Sequence, residues 1–186
     1  MSDQSENIVL RENLSRLNVP AETIKKIMNW QAKNIEASVL ADGSPSLLIN
    51  GKSVYPTTNT LQIIAQQAAG LVKGQDVDLV VFFGLGLGLH LEFIRHFCKA
   101  PVIIFDPDFD SLVGVLEKIP LHLPDVVLVT DSSLLTDVMQ SHLGRATAKI
   151  QAGALPTWIQ DHPKAFEEFK AAIGQVSRLM TVDRIT

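Results

Sequence analysis

Short apolar runs alternate with segments of helical spacing along most of the chain. Uninterrupted apolar runs at 79–83, 102–105 and 126–129 have the length and the branched side chains of strands that are buried on both faces. Between them, apolar residues recur three and four positions apart, as on one face of a helix. A further strand is predicted at 146–151. The alternation predicts an α/β fold: a Rossmann-like parallel sheet of four or more strands with helices on both faces.

The helices that flank these strands have recognisable starts. Asp108 and Asp131 each stand at the head of a helical segment and are predicted to cap it, because a carboxylate accepts hydrogen bonds from the first free N–H groups of a helix. A helix predicted over 57–72 leads into the first strand. Pro163 suits the first turn of a last helix, which is predicted to end near Val182.

The beginning of the chain has a different pattern. Two short helices are predicted first, and two strand-like runs follow, joined by Asn50 and Gly51, the strongest short signal for a hairpin turn. We therefore expect a helical arm and a small antiparallel hairpin element in residues 1–56. A Rossmann-like α/β domain with a C-terminal helix is expected in residues 57–186.

Composition narrows the class of protein. Apolar residues make up 46% of the chain, which argues against disorder. The formal net charge is −4 and the longest basic run is Lys25-Lys26, so no nucleic-acid partner is expected. A single cysteine, Cys98, excludes an internal disulfide framework. The polar N-terminus does not resemble a signal peptide, and no apolar stretch reaches the roughly 18 residues of a membrane span. We expect a soluble cytoplasmic protein.

The candidate chemistry is concentrated where the first two buried strands end. Three glycines at 84–88, here called the glycine-rich turn, allow a ligand to approach the backbone, and the helix behind them offers unpaired N–H groups with partial positive charge. Asp106, at the end of the next strand, is suited to hold a ribose diol. We predict no catalytic residue and no metal ligand. The predicted cofactor-binding residues are Gly84, Gly86, Gly88, His90, Asp106, Asp108 and Asp131.

Two interpretations of the glycine-rich turn need no special family. The dinucleotide-binding fingerprint G-x-G-x-x-G requires a glycine where this chain has Leu89, so the match is incomplete. The other interpretation is structural: the glycines allow a strand and a helix to pack closely, and the turn binds nothing. Helix capping also explains Asp108 and Asp131 without a ligand. His90 needs no ligand either, because a neutral histidine in the first turn of the helix is an ordinary structural feature.

A third interpretation rests on a resemblance to S-adenosylmethionine-dependent methyltransferases. The glycine-rich turn is similar to the first motif of that family, and Asp106 and Asp131 are similar to its ribose and adenine acids. Two departures stand against it. The family has an acid at the position of Phe82, and its sheet is larger than the remaining chain can supply. A methyltransferase-like domain or a degenerate remnant is the alternative function.

A further resemblance covers residues 45–186. Two segments resemble the N-terminal domain of the motility accessory factor family. They are Phe82-Phe83-Gly-Leu-Gly-Leu-Gly-Leu-His-Leu91 and, after it, Ile104-Phe-Asp-Pro-Asp108. These bacterial proteins are implicated in glycosylating flagellin with nonulosonic sugars. The order of the other features is also similar: a hairpin, Tyr55-Pro56 and a helix come before the motif, and His162-Pro163 and a long helix come after it.

The resemblance implies an accessory domain that serves binding or interaction. In that family, catalysis is attributed to a following domain with a Gly-x-Gly-Pro-Ser-type motif, which this sequence lacks. Whether the chain is an enzyme stays open; alone it is not expected to be catalytic, although the family is glycosyltransferase-like. The cofactor also stays open among a nucleotide, a nucleotide-sugar and S-adenosylmethionine.

The last helix is the element predicted to meet a partner. Its apolar stripe is formed by Phe166, Phe169, Ile173, Val176 and Met180. One interpretation is that the stripe covers the sheet of its own domain. The other is that its C-terminal half docks on a following transferase domain or another protein, or forms a homodimer when that partner is missing.

Overall fold

The computed structural model describes residues 8–31, 35–40, 43–121, 123, 125–143 and 148–182, and for residues 179–182 the backbone alone. The strands are β1 (Leu17–Asn18), β2 (Ile35–Val39), β3 (Pro45–Ile49), β4 (Lys52–Ser53), β5 (Leu79–Phe83), β6 (Val102–Phe105), β7 (Val126–Val129) and β8 (Ile150–Ala154). The helices are α1 (Ile8–Arg16), α2 (Ala21–Asn29), α3 (Thr60–Val72), α4 (Leu89–Phe97), α5 (Phe109–Lys118), α6 (Ser132–His142), α7 (Pro156–Asp161) and α8 (Pro163–Val182).

A five-stranded parallel sheet forms the centre of the fold, in the order β1-β7-β6-β5-β8. β5, β6 and β7 are buried along their whole length, as expected of parallel strands covered by helices. Phe83 of β5 pairs with Phe105 of β6, and Phe105 pairs with Val129 of β7, so these strands end level at one edge. The α/β class predicted from the alternation of elements is confirmed.

The order of the strands reverses at β5. The chain passes through α4 to β6 on one side of β5, whereas after α6 it returns to β8 on the other side. In open α/β sheets the carboxyl edge at such a reversal is the usual position of a ligand. In this chain, Leu155 and Trp158, which follow β8, pack against Gly84, which follows β5.

The fourth predicted strand lies later in the chain than expected. The sequence pattern placed it at 146–151, whereas β8 pairs with β5 from Ile150 to Ala154. Residues 144–147 lie outside the described part of the chain. A Cβ at Gly153 would lie 2.6 Å from the ring of Phe82, so the missing side chain allows β8 to approach β5.

The N-terminal segment contributes to the main sheet. The sequence predicted helices there, which α1 and α2 confirm, but it did not predict β1, which pairs with β7 at the sheet edge. Asn13 of α1 is fully buried: its amide donates to the carbonyls of Leu116 and Ile119, and its oxygen accepts from the N–H of Leu121. These bonds fix α1 against the end of α5. A domain boundary at residue 56 stays a prediction.

The predicted hairpin is present as part of a three-stranded antiparallel sheet, β2-β3-β4. Asn50 and Gly51 join β3 to β4 with φ of 51° and 77°, the two positive values that a tight hairpin turn requires. The small sheet also contacts a helix of the parallel-sheet part of the fold, because Ile35 of β2 lies directly over Gly114 of α5, where a Cβ would collide with it.

The last helix packs on the hydrophobic core of this chain. Phe169 and Val176 of α8 are 2% and 1% exposed and belong to the main hydrophobic core. The interpretation in which Val176 docks on a partner is therefore wrong for this residue, since its side chain is already covered. The side chain of Met180 lies outside the described part of the chain. No helix in the described ranges is long and apolar enough to cross a membrane.

Candidate functional site

The glycine-rich turn connects β5 to α4 in a left-handed conformation. Gly84, Gly86 and Gly88 have φ of 90°, 51° and 73°, values that residues with a side chain rarely adopt. Gly88 is the residue directly before α4. The glycines are thus needed for the path of the backbone, whether or not a ligand approaches it.

Asp106 closes this turn from the next strand. Its carboxylate accepts hydrogen bonds from the N–H of Leu85 at 2.7 Å, the N–H of Asp108 at 3.0 Å and the indole Nε1 of Trp158 at 3.0 Å. The side chain is completely buried. Burial raises the pKa of Asp106 to about 6, and the three donors oppose this shift because they favour the charged form.

Tyr55 closes the turn from the other direction. Its hydroxyl oxygen accepts a hydrogen bond from the N–H of Leu87 at 2.7 Å, and the residue is 4% exposed. Burial raises the pKa of Tyr55 far above its ordinary value, so the phenol is neutral. A Cβ built at Gly86 would collide with the Tyr55 hydroxyl. Gly86 therefore leaves room for a side chain of this protein.

The other two glycines also face side chains of the chain itself. A Cβ at Gly84 would lie 2.7 Å from Cγ of Trp158, and a Cβ at Gly88 would lie 2.9 Å from Cδ1 of Leu123. In a dinucleotide-binding turn, the second glycine makes room for the pyrophosphate, whereas the other two serve the tight turn and the packing of helix on strand. In this chain, side chains of the protein lie beside all three glycines, including Tyr55 beside the second.

Four backbone donors of the turn are also occupied. Leu85 and Leu87 donate to side chains, Gly84 donates to the carbonyl of Phe105 at 2.9 Å, and Gly88 donates to the carbonyl of Leu85 at 2.9 Å. A nucleotide or S-adenosylmethionine could reach these groups only by displacing Tyr55 or the donors around Asp106. The arrangement does not fit such a cofactor, and a binding role for the glycines and Asp106 stays a prediction.

Asp108 and His162 form a second polar group at the same edge. Asp108 caps α5, as predicted, by accepting from the N–H of Ser111 at 3.2 Å. His162 Nε2 lies 3.3 Å from the same carboxylate. Burial alone would raise the pKa of Asp108, but the hydrogen bonds from His162 and Ser111 lower it below its usual value. The hydrogen bond to Asp108 raises the pKa of His162.

Asp131 and His90 have separate surroundings. Asp131 is exposed and caps α6, as predicted, by accepting from the N–H of Ser133 at 2.9 Å. His90 is 5% exposed, and its Nε2 lies 2.8 Å from Oε1 of Gln67. Its ring is close to those of Tyr55 and Phe82, with centroid distances of 6.4 and 5.2 Å. Burial lowers the pKa of His90 to about 4.

The sequence analysis did not assign Tyr55 or Trp158 to the site. Tyr55 lies 32 positions before its partner Leu87, and Trp158 lies 52 positions after its partner Asp106, so no local motif links them. Trp158 belongs to α7, a helix of six residues that the pattern did not reveal. Within the described ranges, no three His, Cys, Asp or Glu side chains are grouped as metal ligands.

Comparisons with known proteins bear on the fold. No protein-family profile matches the sequence, and no curated protein matches it significantly. The solved structure of the MAf glycosyltransferase from Magnetospirillum magneticum AMB-1 is similar, with a TM-score of 0.56 and 13% sequence identity. The similarity covers 92% of this chain and 34% of that one, so the chain spans about a third of that glycosyltransferase. At this identity, the comparison shows a shared fold.

Proposed function

We propose that this chain is an N-terminal accessory domain, serving binding or interaction, of a motility accessory factor-type protein that takes part in flagellin glycosylation. The fold similarity to a MAf glycosyltransferase supports this assignment, because it extends over 92% of the chain. The two motifs that carry the sequence resemblance add support, since they join β5 to α4 and β6 to α5 at the carboxyl edge of the sheet.

One observation supports an accessory rather than a catalytic role: side chains of the protein itself fill the glycine-rich turn. Tyr55 and Asp106 accept the N–H groups of Leu87 and Leu85, the donors that a cofactor phosphate or ribose would otherwise use. Gly-rich turns are needed to build this edge even without a ligand. The glycosyl transfer itself is assigned to another domain or protein, with which this chain interacts.

The methyltransferase-like alternative has less support from the geometry. Methyl transfer requires S-adenosylmethionine to occupy the turn and to hold Asp106 through its ribose. In this fold Asp106 is fully buried and bonded to Trp158, and Asp131 is exposed and bonded to Ser133. The two acids therefore do not form one adenosine-binding surface.

The proposal is tested by deleting the coding sequence in its source organism and measuring the intact mass of flagellin. We expect flagellin to lose its glycan mass and a plasmid copy of the chain to restore it. A copy carrying Gly174→Ala, which meets nothing within 4 Å, should restore the mass equally well. Flagellin of unchanged mass in the deletion strain would contradict the proposed role.

A further inference from the structure

β8 forms an open edge of the parallel sheet in the part of the chain that the structure describes. It is the outermost strand and pairs with β5 alone. The N–H of Leu155, directly after β8, donates to the carbonyl of Phe83 at 3.0 Å, so Leu155 faces β5. Because alternate residues of a parallel strand bond to the same neighbour, Ile150, Ala152 and Ala154 turn their N–H and C=O groups away from β5. These groups have no hydrogen-bond partner among the described residues.

The other sheet edges in the described ranges are short or protected. β1 and β4 have two residues each, and the ammonium group of Lys118 donates to the carbonyl of Ile35 on β2 at 2.6 Å. β8 has five residues without a proline or a charged side chain, and it pairs with β5 without a bulge. Natural proteins protect long open edges against pairing with another chain, so an unprotected edge indicates that a strand covers it in the assembled protein.

A groove of about 260 Å³ lies beside this edge, between β8 and α8. Its lining is mainly apolar and comes from Ala152, Gly153 and Ala154 on β8 and from Phe166, Phe169 and Ile173 on α8. Lys170 also lines the groove, but its ammonium group lies 2.7 Å from the carboxylate of Glu167, which neutralises its charge within α8. Side chains of an added strand would point alternately toward the groove and away from it. The edge and the groove together therefore suit an extended strand with a small apolar side chain.

We propose that β8 pairs in antiparallel orientation with β8 of a second copy of this chain, so that the two parallel sheets join into one continuous sheet. The pairing is isologous, because the same strand supplies both sides. In the register centred on Ala152, this residue lies opposite its own equivalent, and Ile150 of each copy lies opposite Ala154 of the other. Opposed side chains of an antiparallel pair project to the same face of the sheet, so each Ile150 enters the groove of the other copy beside Ala154.

Charge and side-chain size favour a second copy as the occupant of this edge. The strand is uncharged, so pairing with itself brings no like charges together. Lys149, the first charged residue before the strand, would lie opposite Leu155 of the other copy, and its ammonium group is already 3.3 Å from the carboxylate of Asp76. The small side chains of Ala152 and Ala154 leave the groove open, and Ile150 of the other copy supplies the apolar side chain that fills it. The inference does not depend on a role in flagellin glycosylation.

Opposite charges introduced at Ala152 test the proposed register. Ala152→Glu and Ala152→Lys each place two like charges opposite each other, whereas an equimolar mixture of the two variants pairs a carboxylate with an ammonium group. In sedimentation velocity, we expect the wild type to form a dimer whose fraction rises with concentration. Each variant alone should dimerise about tenfold more weakly or worse, and the mixture should recover the dimer. Ala21→Glu, at an exposed alanine that begins α2, is the matched control and should dimerise as the wild type does.

Amide hydrogen exchange of the wild type, followed by NMR, is a second test that needs no variant. The N–H of Ala152 should exchange slowly where the dimer forms and rapidly on dilution, whereas the N–H of Gly153, which faces β5, should be protected equally under both conditions. A wild type that stays monomeric throughout the micromolar range would overturn the proposal. So would a dimer in which Ala152 exchanges as rapidly as in the monomer, or one that both charged variants form as tightly as the wild type. A charged variant that fails to fold leaves the exchange test in force.

Discussion

The hydroxyl oxygen of Tyr55 accepts a 2.7 Å hydrogen bond from the backbone N–H of Leu87 inside the glycine-rich turn. In a nucleotide-binding α/β protein, such an N–H would face the ligand. Here the hydroxyl group of Tyr55, two residues after the end of β4, takes the place of that ligand. The hairpin element and the parallel sheet are thus joined at the edge where a cofactor would be expected, which explains why the glycines are present without an open cradle.

Replacing Tyr55 by phenylalanine should destabilise the protein by about 1–3 kcal/mol, because the buried N–H of Leu87 would lose its acceptor while the ring stays in place. Urea unfolding followed by circular dichroism measures the change. Thr58→Val, which removes a hydroxyl group at an exposed position, serves as the control and should change stability by less than about 0.5 kcal/mol. Equal stability of Tyr55→Phe and wild type would show that the Leu87 hydrogen bond contributes nothing.

Gly84→Ala and Gly174→Ala should have opposite effects on stability. At Gly84 the new Cβ would lie 2.7 Å from Trp158 Cγ, and the residue has φ of 90°, so we expect a loss of about 2–5 kcal/mol. At Gly174, within α8, nothing lies within 4 Å, and alanine should stabilise the helix by about 0.5–1 kcal/mol. Thermal unfolding of the two variants provides the comparison. A Gly84→Ala protein as stable as the wild type would mean that Trp158 does not fill the space beside the turn.

Asp106→Asn should be destabilising at pH 7 by about 1–3 kcal/mol. The carboxylate accepts three hydrogen bonds through two oxygens, whereas an asparagine would place an NH₂ group against one of the three donors. Asp131→Asn is the matched control, because asparagine caps a helix about as well as aspartate and Asp131 is exposed. Chemical denaturation of both variants measures the difference. Equal effects of the two substitutions would contradict a special role for Asp106.

The pair formed by His162 and Asp108 should make stability depend on pH. The folded-state pKa of His162 is raised above its usual 6.5, so its contribution is fully present below pH 6.5 and is lost as the pH rises through the higher folded value. The stability lost in His162→Gln should therefore be larger at pH 5.5 than at pH 9. Urea unfolding of both proteins at the two pH values tests this sign. A loss that is the same at both pH values would show that His162 is not charged beside Asp108.

Much of the fold could be predicted from local patterns. β5, β6 and β7 are uninterrupted apolar runs because both of their faces are covered. Asn50 and Gly51 predict a hairpin because these residue types readily adopt the two positive φ values of a tight turn. The caps at Asp108 and Asp131 are equally local, since each carboxylate bonds to an N–H two or three residues ahead. These features depend on neighbouring residues in the sequence, which a pattern can reveal.

The surroundings of the turn could not be predicted in the same way. β1 has two residues, and β8 has the sequence Ile-Gln-Ala-Gly-Ala, so neither gives a strong strand signal. The partners of the turn, Tyr55 and Trp158, are brought to it by tertiary packing across long separations in the chain. The glycines indicated a tight turn correctly, but only the packing shows that side chains of the protein fill the space beside them.

A titration of the ¹⁵N-labelled chain with S-adenosylmethionine, CMP and NAD, followed at the amide resonances of Leu85 and Leu87, tests the central claim most directly. Because these amides already donate to Asp106 and Tyr55, we expect both resonances to stay in place up to millimolar concentrations of each compound. A saturable shift of both amides with any one of the three would contradict the account, since it would show that a ligand enters the turn.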